Sequence, residues 1–305
     1  MNKFPQVLLL GNGINRAYNG KSWSELLLSI AKNEKAKIWL ENKVVIAPMP
    51  LQAIMLTNNN VEKTIKDKKS DYFGGIRQKE QAKLLSTLLT LGFNDILTTN
   101  YSYELEQVNE KNYLINESKL KTMMKSFARK AEGKYLLKTY NEVKCDNVIN
   151  RVWHIHGEAR KPSSMILGHY LYGNLLTRIK EHADKHSYWY NTFDYMNTEI
   201  KSWVDSFIIG DVYILGMGGD FSEFDFWWLL NRKFNENANH GKLYFYEPKL
   251  SPTDIKYQAT QEKLELLKIF NVDVIDLNCV AKTSNDYINF YKKAINHIKI
   301  KVQGK

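Results

Sequence analysis

Cysteine is scarce: the 305-residue chain has two, Cys145 and Cys279. A pair so far apart supplies neither a disulfide framework nor a four-cysteine zinc site. It fits a reducing, cytoplasmic setting. Long apolar runs are missing as well. No window approaches the roughly 18 apolar residues that a membrane span needs. Met1–Pro5 leads straight into Gln6–Leu10, an apolar stretch too short for a signal core. There is no internal repeat, no low-complexity linker, and no helix-turn-helix or other nucleic-acid reader motif.

Apolar residues make up 44% of the chain and aromatics 12%, enough to bury a sizeable core. Length predicts one large domain over 1–305 with substantial inserts. The net charge of +10 has two readings. It is a by-product of a Lys- and Asn-rich composition, or an attraction for polyanions such as nucleic acid or a phosphate-bearing cofactor. Lys66–Lys69 and Lys121–Lys130 are short clusters of the kind found on solvated helix faces.

Short apolar strands alternate with helical patterns along the chain. Val7–Leu10 is a continuous apolar run ending in Gly11-Asn12-Gly13, the pattern of a fully buried parallel strand. Ser22 caps a helix through Lys32, with Glu25 at capping-box spacing. Residues 34–92 look helical, broken at Pro48 and Pro50, and clearest over Gln78–Leu91. Asp95–Thr99 is a strand, followed by a helix from about Ser102. Residues 110–135 are charged and helical or looped. Val148–His156 is a strand, followed by helical segments near 171–187 and 191–208. Asp211–Leu215 is a strand running into Gly216-Met217-Gly218-Gly219, and Ser222–Lys233 a helix. Strand Lys242–Tyr246, helix Gln258–Phe270, strand Val272–Leu277 and helix Ser284–Ile298 complete the order. The alternation predicts an α/β, Rossmann-like open parallel sheet covered on both faces, with helical inserts at about 33–92 and 105–140. Such sheets bind ligands at the carboxyl ends of their strands.

Those strand ends carry the polar motifs. Gly11-Asn12-Gly13-Ile14-Asn15 lets backbone approach a pyrophosphate, or is a plain strand-to-helix turn. The dinucleotide fingerprint asks for a third glycine where Arg16 stands. In Thr98-Thr99-Asn100-Tyr101, Asn100 orients a ribose hydroxyl or a water, or caps a helix. In His154-Ile155-His156-Gly157, a histidine serves as general base. The two-residue spacing also permits a metal pair, but no third and fourth ligand is evident, and a structural role suits His154. In Gly216-Met217-Gly218-Gly219, followed by Asp225, a second glycine-rich turn offers a second cradle. The aromatic run Phe226-Trp227-Trp228 reads as core.

The order of these motifs, over about Val7–Leu230, resembles the sirtuin-like family. Bacterial members often read Thr-Thr-Asn-Tyr-Asp, then His-Gly, then a glycine turn before an aspartate. The segment Ile166-Leu167-Gly168-His169-Tyr170 matches an aromatic-bearing segment of those relatives. The chain is also similar to the AbiH abortive-infection proteins, which carry Gly-Asn-Gly early and His-Ile-His-Gly later. The resemblance implies that NAD+ lies across the strand ends and is hydrolysed to nicotinamide and ADP-ribose in anti-phage defence. Carried over by motif, Asn100 and His156 are catalytic. Gly11, Asn12, Gly13, Asn15, Thr98, Thr99, Tyr101, Gly216, Gly218 and Asp225 bind the nucleotide. Asn12, Asn15, Ser102 and Gly218 depart from the family's usual Ala, Ser, Asp and Ser.

Two other functions compete. Sirtuin deacylases carry a four-cysteine zinc module, which two distant cysteines cannot build. A non-catalytic nucleotide-sensing or nucleic-acid-binding module is favoured a little by the basic charge. No metal is expected. A free-running NAD+ hydrolase would kill its host, and the motifs occupy nearly the whole chain. Control is therefore expected from homo-oligomerisation or a separate protein such as an ATPase. Tyr188-Trp189-Tyr190 is a candidate contact, or part of the core.

Overall fold

The structure is a computed structural model. It describes residues 4–41, 47–58, 63–64, 76–108, 125–128, 133–191, 199–236 and 240–304. Its strands are β1 (Gln6–Leu10), β2 (Asp95–Thr98), β3 (Lys125–Ala128), β4 (Thr139–Cys145), β5 (Val148–His154), β6 (Asp211–Leu215), β7 (Leu243–Tyr246) and β8 (Val272–Ile275). All join one eight-stranded sheet in the order β3-β4-β5-β2-β1-β6-β7-β8. The neighbours from β5 to β8 pair in parallel, while β3–β4 and β4–β5 pair antiparallel.

The central strand shows why the sheet forms. Every residue of β1 is buried, and it is hydrogen-bonded on both sides, to β2 and β6. Val7 and Leu9 face one apolar layer, with Leu97, Val212, Ile214, Trp203 and Phe207. Leu8 and Leu10 face the other, with Ile96, Leu85, Leu88 and Ile295. A strand buried on both faces has no polar alternation to keep, which is why it reads as a continuous apolar run. Each such leucine contributes about 1.5–3 kcal/mol on burial.

The helices are α1 (Gly13–Ala17), α2 (Trp23–Ile30), α3 (Glu34–Glu41), α4 (Met49–Leu56), α5 (Lys79–Leu89), α6 (His169–Asn191), α7 (Trp203–Ile209), α8 (Phe224–Asn235), α9 (Tyr257–Ile269) and α10 (Ser284–Gln303). The capping box at Ser22 and Glu25 forms, with each side chain bonded to the other residue's backbone N–H. A third apolar cluster joins Leu27, Ile30, Ala53 and Leu56 to Tyr101, Tyr103, Met165 and Leu167. It lays the early helical insert against the loops that follow β2 and β5. None of the described helices is long and apolar enough to cross a membrane.

Several sequence expectations change. The sheet is mixed, because part of the expected insert 105–140 forms β3 and the start of β4. No helix starts at Ser102; residues 104–108 are turns. Buried Glu104 and Glu106 bind side chains from other elements and hold this segment against them. Pro50 lies in the first turn of α4 instead of interrupting a helix, the position where its missing N–H costs nothing. Residues 171–187 belong to the longer α6; of the segment expected near 191–208, α7 holds Trp203–Ile209, and 192–198 lie outside the described residues.

Candidate functional site

Strand order reverses at β1: the chain fills one side through β2 and β5, then crosses to β6, β7 and β8. That switch point places the crevice between the loops after β1 and β6. The two loops are stitched together there. Gly11 N–H donates to Leu215 O (3.0 Å), and Gly13 N–H to Gly216 O (2.8 Å). A Cβ on Gly11 would lie 2.5 Å from Gly216 O, and one on Gly13 2.1 Å from the Tyr291 hydroxyl. Close approach of the protein's own backbone is therefore what demands both glycines. Gly216 holds φ +68°, the left-handed region that glycine enters without strain. Gly218 has open space at its Cβ position, so it need not be glycine for packing.

The crevice is a cavity of about 280 Å³. Of the residues singled out by motif, Gly11, Asn12, Gly13, Asn15, Thr99, Asn100, Tyr101, His156, Gly216 and Gly218 line it. Thr98 and Asp225 do not; both stand behind it. Thr98 Oγ1 accepts from Asn100 N–H (3.1 Å), shaping the turn. Asp225 Oδ2 pairs with His156 Nε2 at 2.8 Å. These two hold site residues from behind the cavity wall.

Asn100 is held by several partners. Its Nδ2 donates to Glu104 Oε1 and, at 3.4 Å, to Gly11 O. Glu104 also accepts from Asn15 Nδ2 (3.1 Å) and Ser102 Oγ (2.6 Å). It therefore ties the β1 loop to the β2 loop, and burial pushes its carboxyl upward against these stabilising bonds. Asn15 is saturated, giving its amide N–H to Asn12 and Glu104 and accepting from Gln81 Nε2 at 2.8 Å. Asn12 spends its own amide N–H on Lys21 O (2.7 Å). Asn12 and Asn15 thus brace the loop from within.

His156 follows β5, with the Tyr172 ring edge-on at 5.4 Å between centroids. Burial disfavours its charged form, but the Asp225 carboxylate outweighs this and raises its pKa above 6.5. With Nε2 on Asp225, Nδ1 is the ring atom left to meet a ligand. His154 points elsewhere. It contacts Asn100 O (2.8 Å) and Glu106 Oε1 (2.9 Å), and despite burial Glu106 brings it to about 9. The two histidines thus have separate carboxylate partners and do not converge as a metal pair.

Sequence reasoning missed several lining residues. Glu223 lies one residue before α8, and its Oε2 is buried without a partner. Burial first, and then Asp225 and Asp220, push its carboxyl up to about 8 against the opposing pull of His156 and Lys263. The Trp23 indole N–H is likewise buried and unpartnered at the cavity. Arg16, Lys21 and Arg77 also line it. Arg16 was legible as a cation at the place of the fingerprint's third glycine. Nothing local marks Arg77 or Glu223. The cavity therefore joins three cations to a histidine–aspartate pair, an anchored amide and a carboxyl that holds a proton at neutral pH. That set can bind an anionic, sugar-bearing ligand and move a proton.

No protein-family model matches the chain, and a search of curated proteins finds no match either.

Proposed function

We propose that this chain hydrolyses NAD+ at the nicotinamide–ribose bond. One observation carries the reading: Asn100, His156 and Glu223 meet in one cavity at the sheet's switch point, with Arg16, Lys21 and Arg77 on its walls. The cations suit a pyrophosphate. Ligand pockets commonly measure about 300–1,000 Å³, so a whole dinucleotide extends beyond this cavity.

In the reaction the N-glycosidic electron pair leaves with nicotinamide, neutralising its cationic ring. A water oxygen bonds to the ribose carbon and gives up a proton. His156 Nδ1 accepts that proton, and Asp225 stabilises the resulting imidazolium. Asn100 fixes the ribose or the water, reducing the entropy of the encounter. Its amide N–H is tied to Glu104 and Gly11, so Oδ1 is the atom it offers. Protonated Glu223 donates to a ligand oxygen. The products are nicotinamide, ADP-ribose and a proton, and no metal enters this scheme.

The same reading carries the sirtuin-like resemblance, with NAD+ depletion in abortive anti-phage defence as its cellular consequence. Control comes from homo-oligomerisation or a separate regulatory protein. Tyr190 does not serve that contact: it is buried and donates to Asp205 Oδ1 at 2.9 Å. The side chains of Tyr188 and Trp189 lie outside the described residues. The test is incubation with NAD+ and chromatography of the products, with and without an acyl-peptide. Free nicotinamide with ADP-ribose supports the proposal. Acyl-ADP-ribose formed only with peptide assigns deacylation, and unchanged NAD+ under assembling conditions refutes it.

A further inference from the structure

We propose that His182, His186 and Asp205 form a binding site for one divalent transition-metal ion, zinc above all, which ties α6 to α7. The expectation of a metal-free chain rested on the cysteines and on His154 and His156; this cluster lies elsewhere. None of its three residues lines the cavity.

Helical spacing sets up half of it. His182 and His186 are four residues apart on α6, so both rings share one face. The spacing also falls within the His-x₃₋₅-His range of zinc sites. Asp205 comes from α7, which packs against α6. His182 Nε2 lies 2.8 Å from Asp205 Oδ1, His186 Nδ1 3.1 Å from the same oxygen, and the two ring nitrogens 2.9 Å apart.

Those distances form a closed triangle of three polar atoms, and protons alone cannot satisfy it. Each ring nitrogen carries either one hydrogen or one lone pair, directed along a single line. Two nitrogens therefore support at most two of the three contacts, and the third is left as a bare approach of polar atoms. One cation serves all three lone pairs together. With metal–ligand bonds of about 2.0–2.2 Å, tetrahedral donors stand about 3.3–3.6 Å apart, so the triangle need open only by about half an ångström.

The surroundings suit a cation. Asp205 Oδ1 faces both histidine nitrogens, at 2.8 and 3.1 Å, so its carboxyl closes the donor set. Tyr190 donates to Asp205 Oδ1 at 2.9 Å, the kind of outer contact that orients a ligating carboxylate. Arg232 brings positive charge to this region, but Asp184 and Glu236 each bind it at 2.6 Å. His182 and Asp205 are buried, while the His186 side chain is 29% exposed. That opening provides an entry path and a place for water as fourth ligand. Tyr172, which touches His156, lies on the same helix about 15 Å from His182 along its axis. The ion fixes a helix that also positions the catalytic histidine.

The test uses the full chain, purified without a histidine tag, stripped with chelator and titrated with Zn²⁺ in a calorimeter. About one ion per chain should bind. His186→Ala should weaken binding at least 100-fold; because His186 Nδ1 also contacts buried Asp205, each chain's response to Zn²⁺ is read against its own metal-free thermal midpoint. Zn²⁺ should raise the midpoint of the wild type and not of the variant. His156→Ala should bind Zn²⁺ as the wild type does. The proposal is overturned if the wild type takes up no Zn²⁺ at micromolar free metal, if His186→Ala binds equally tightly, or if binding is lost with His156→Ala instead.

Discussion

Replacing Glu223 by Gln keeps the side chain's shape and its ability to donate a hydrogen bond, and removes its titration. In the folded chain this carboxyl is pushed from 4.5 up to about 8, chiefly by burial. Between those values the unfolded chain has released the proton and the folded chain still holds it. Stability therefore falls as pH rises from 4.5 to 8 and levels off beyond. A shift of this size corresponds to at most about 5 kcal/mol, and solvent reaching the half-buried residue reduces it to about 2–4 kcal/mol. His156 has a slope of the same sign. Its folded pKa is raised above 6.5, so the stability it contributes is complete below 6.5 and is lost at higher pH. A wild-type curve alone merges the two effects, and its difference from Glu223→Gln isolates the carboxyl. Denaturant unfolding at pH 5, 7 and 9 should show near-equal stabilities at pH 5. At pH 9 the variant should be the more stable by about 2–4 kcal/mol. A difference that stays constant across this range would refute the reasoning, because a carboxyl with an ordinary pKa contributes no such slope.

Activity should follow from the same groups. Turnover should rise with pH as His156, whose pKa is raised by Asp225, loses its proton, then fall as Glu223, at about 8, loses its own; a pH–rate profile in which Glu223→Gln keeps the descending limb would reject that role. Asn100→Ala and His156→Ala should each abolish nicotinamide release with the fold retained, as read by chromatography beside circular dichroism. His154→Ala should instead cost about 3–5 kcal/mol of stability, because it strands the buried Glu106 carboxylate; unfolding midpoints matching the wild type would contradict this. Asp95→Ala should lose a similar amount, since Arg151, the Trp153 indole N–H and Ser206 all bind that buried carboxylate. Turnover per chain should fall on dilution as light scattering reports dissociation, and a fully active dilute monomer would exclude self-assembly as the control.

The parallel part of the sheet was legible because burial on both faces imposes a signal that needs no partner to be seen. Val7–Leu10 and Val212–Leu215 are apolar without interruption and end at glycines that the close approach of their loops requires. The antiparallel edge was not legible. In β4, Thr139–Cys145, apolar residues alternate with Asn141, Glu142 and Lys144, and Asn141 is buried because Glu106 takes its amide N–H. The helix expected from Ser102 failed for the same reason, since Glu104 and Glu106 have partners from α1, β4 and β5 that no local pattern records.

The site divides along the same line. Glycines, Asn100 and His156 stood out because polar or strained positions at the end of a buried strand have little structural excuse. The residues that give them chemical character did not. Asp220, Glu223 and Asp225 are three similar carboxylates within six positions of one turn. The backbone assigns each a different fate. Asp220 takes the Ser222 hydroxyl, Asp225 pairs one oxygen with His156 and keeps the other buried without a partner, and Glu223 has a buried unpartnered oxygen facing the cavity. A pKa is a property of what surrounds a group, and these surroundings come from β5, α6 and α9. The same holds for His182 and His186, whose spacing is visible in one helix while Asp205 is supplied by another. Which polar residues are braced and which are left to act is thus decided by contacts between elements, and only the fold shows them.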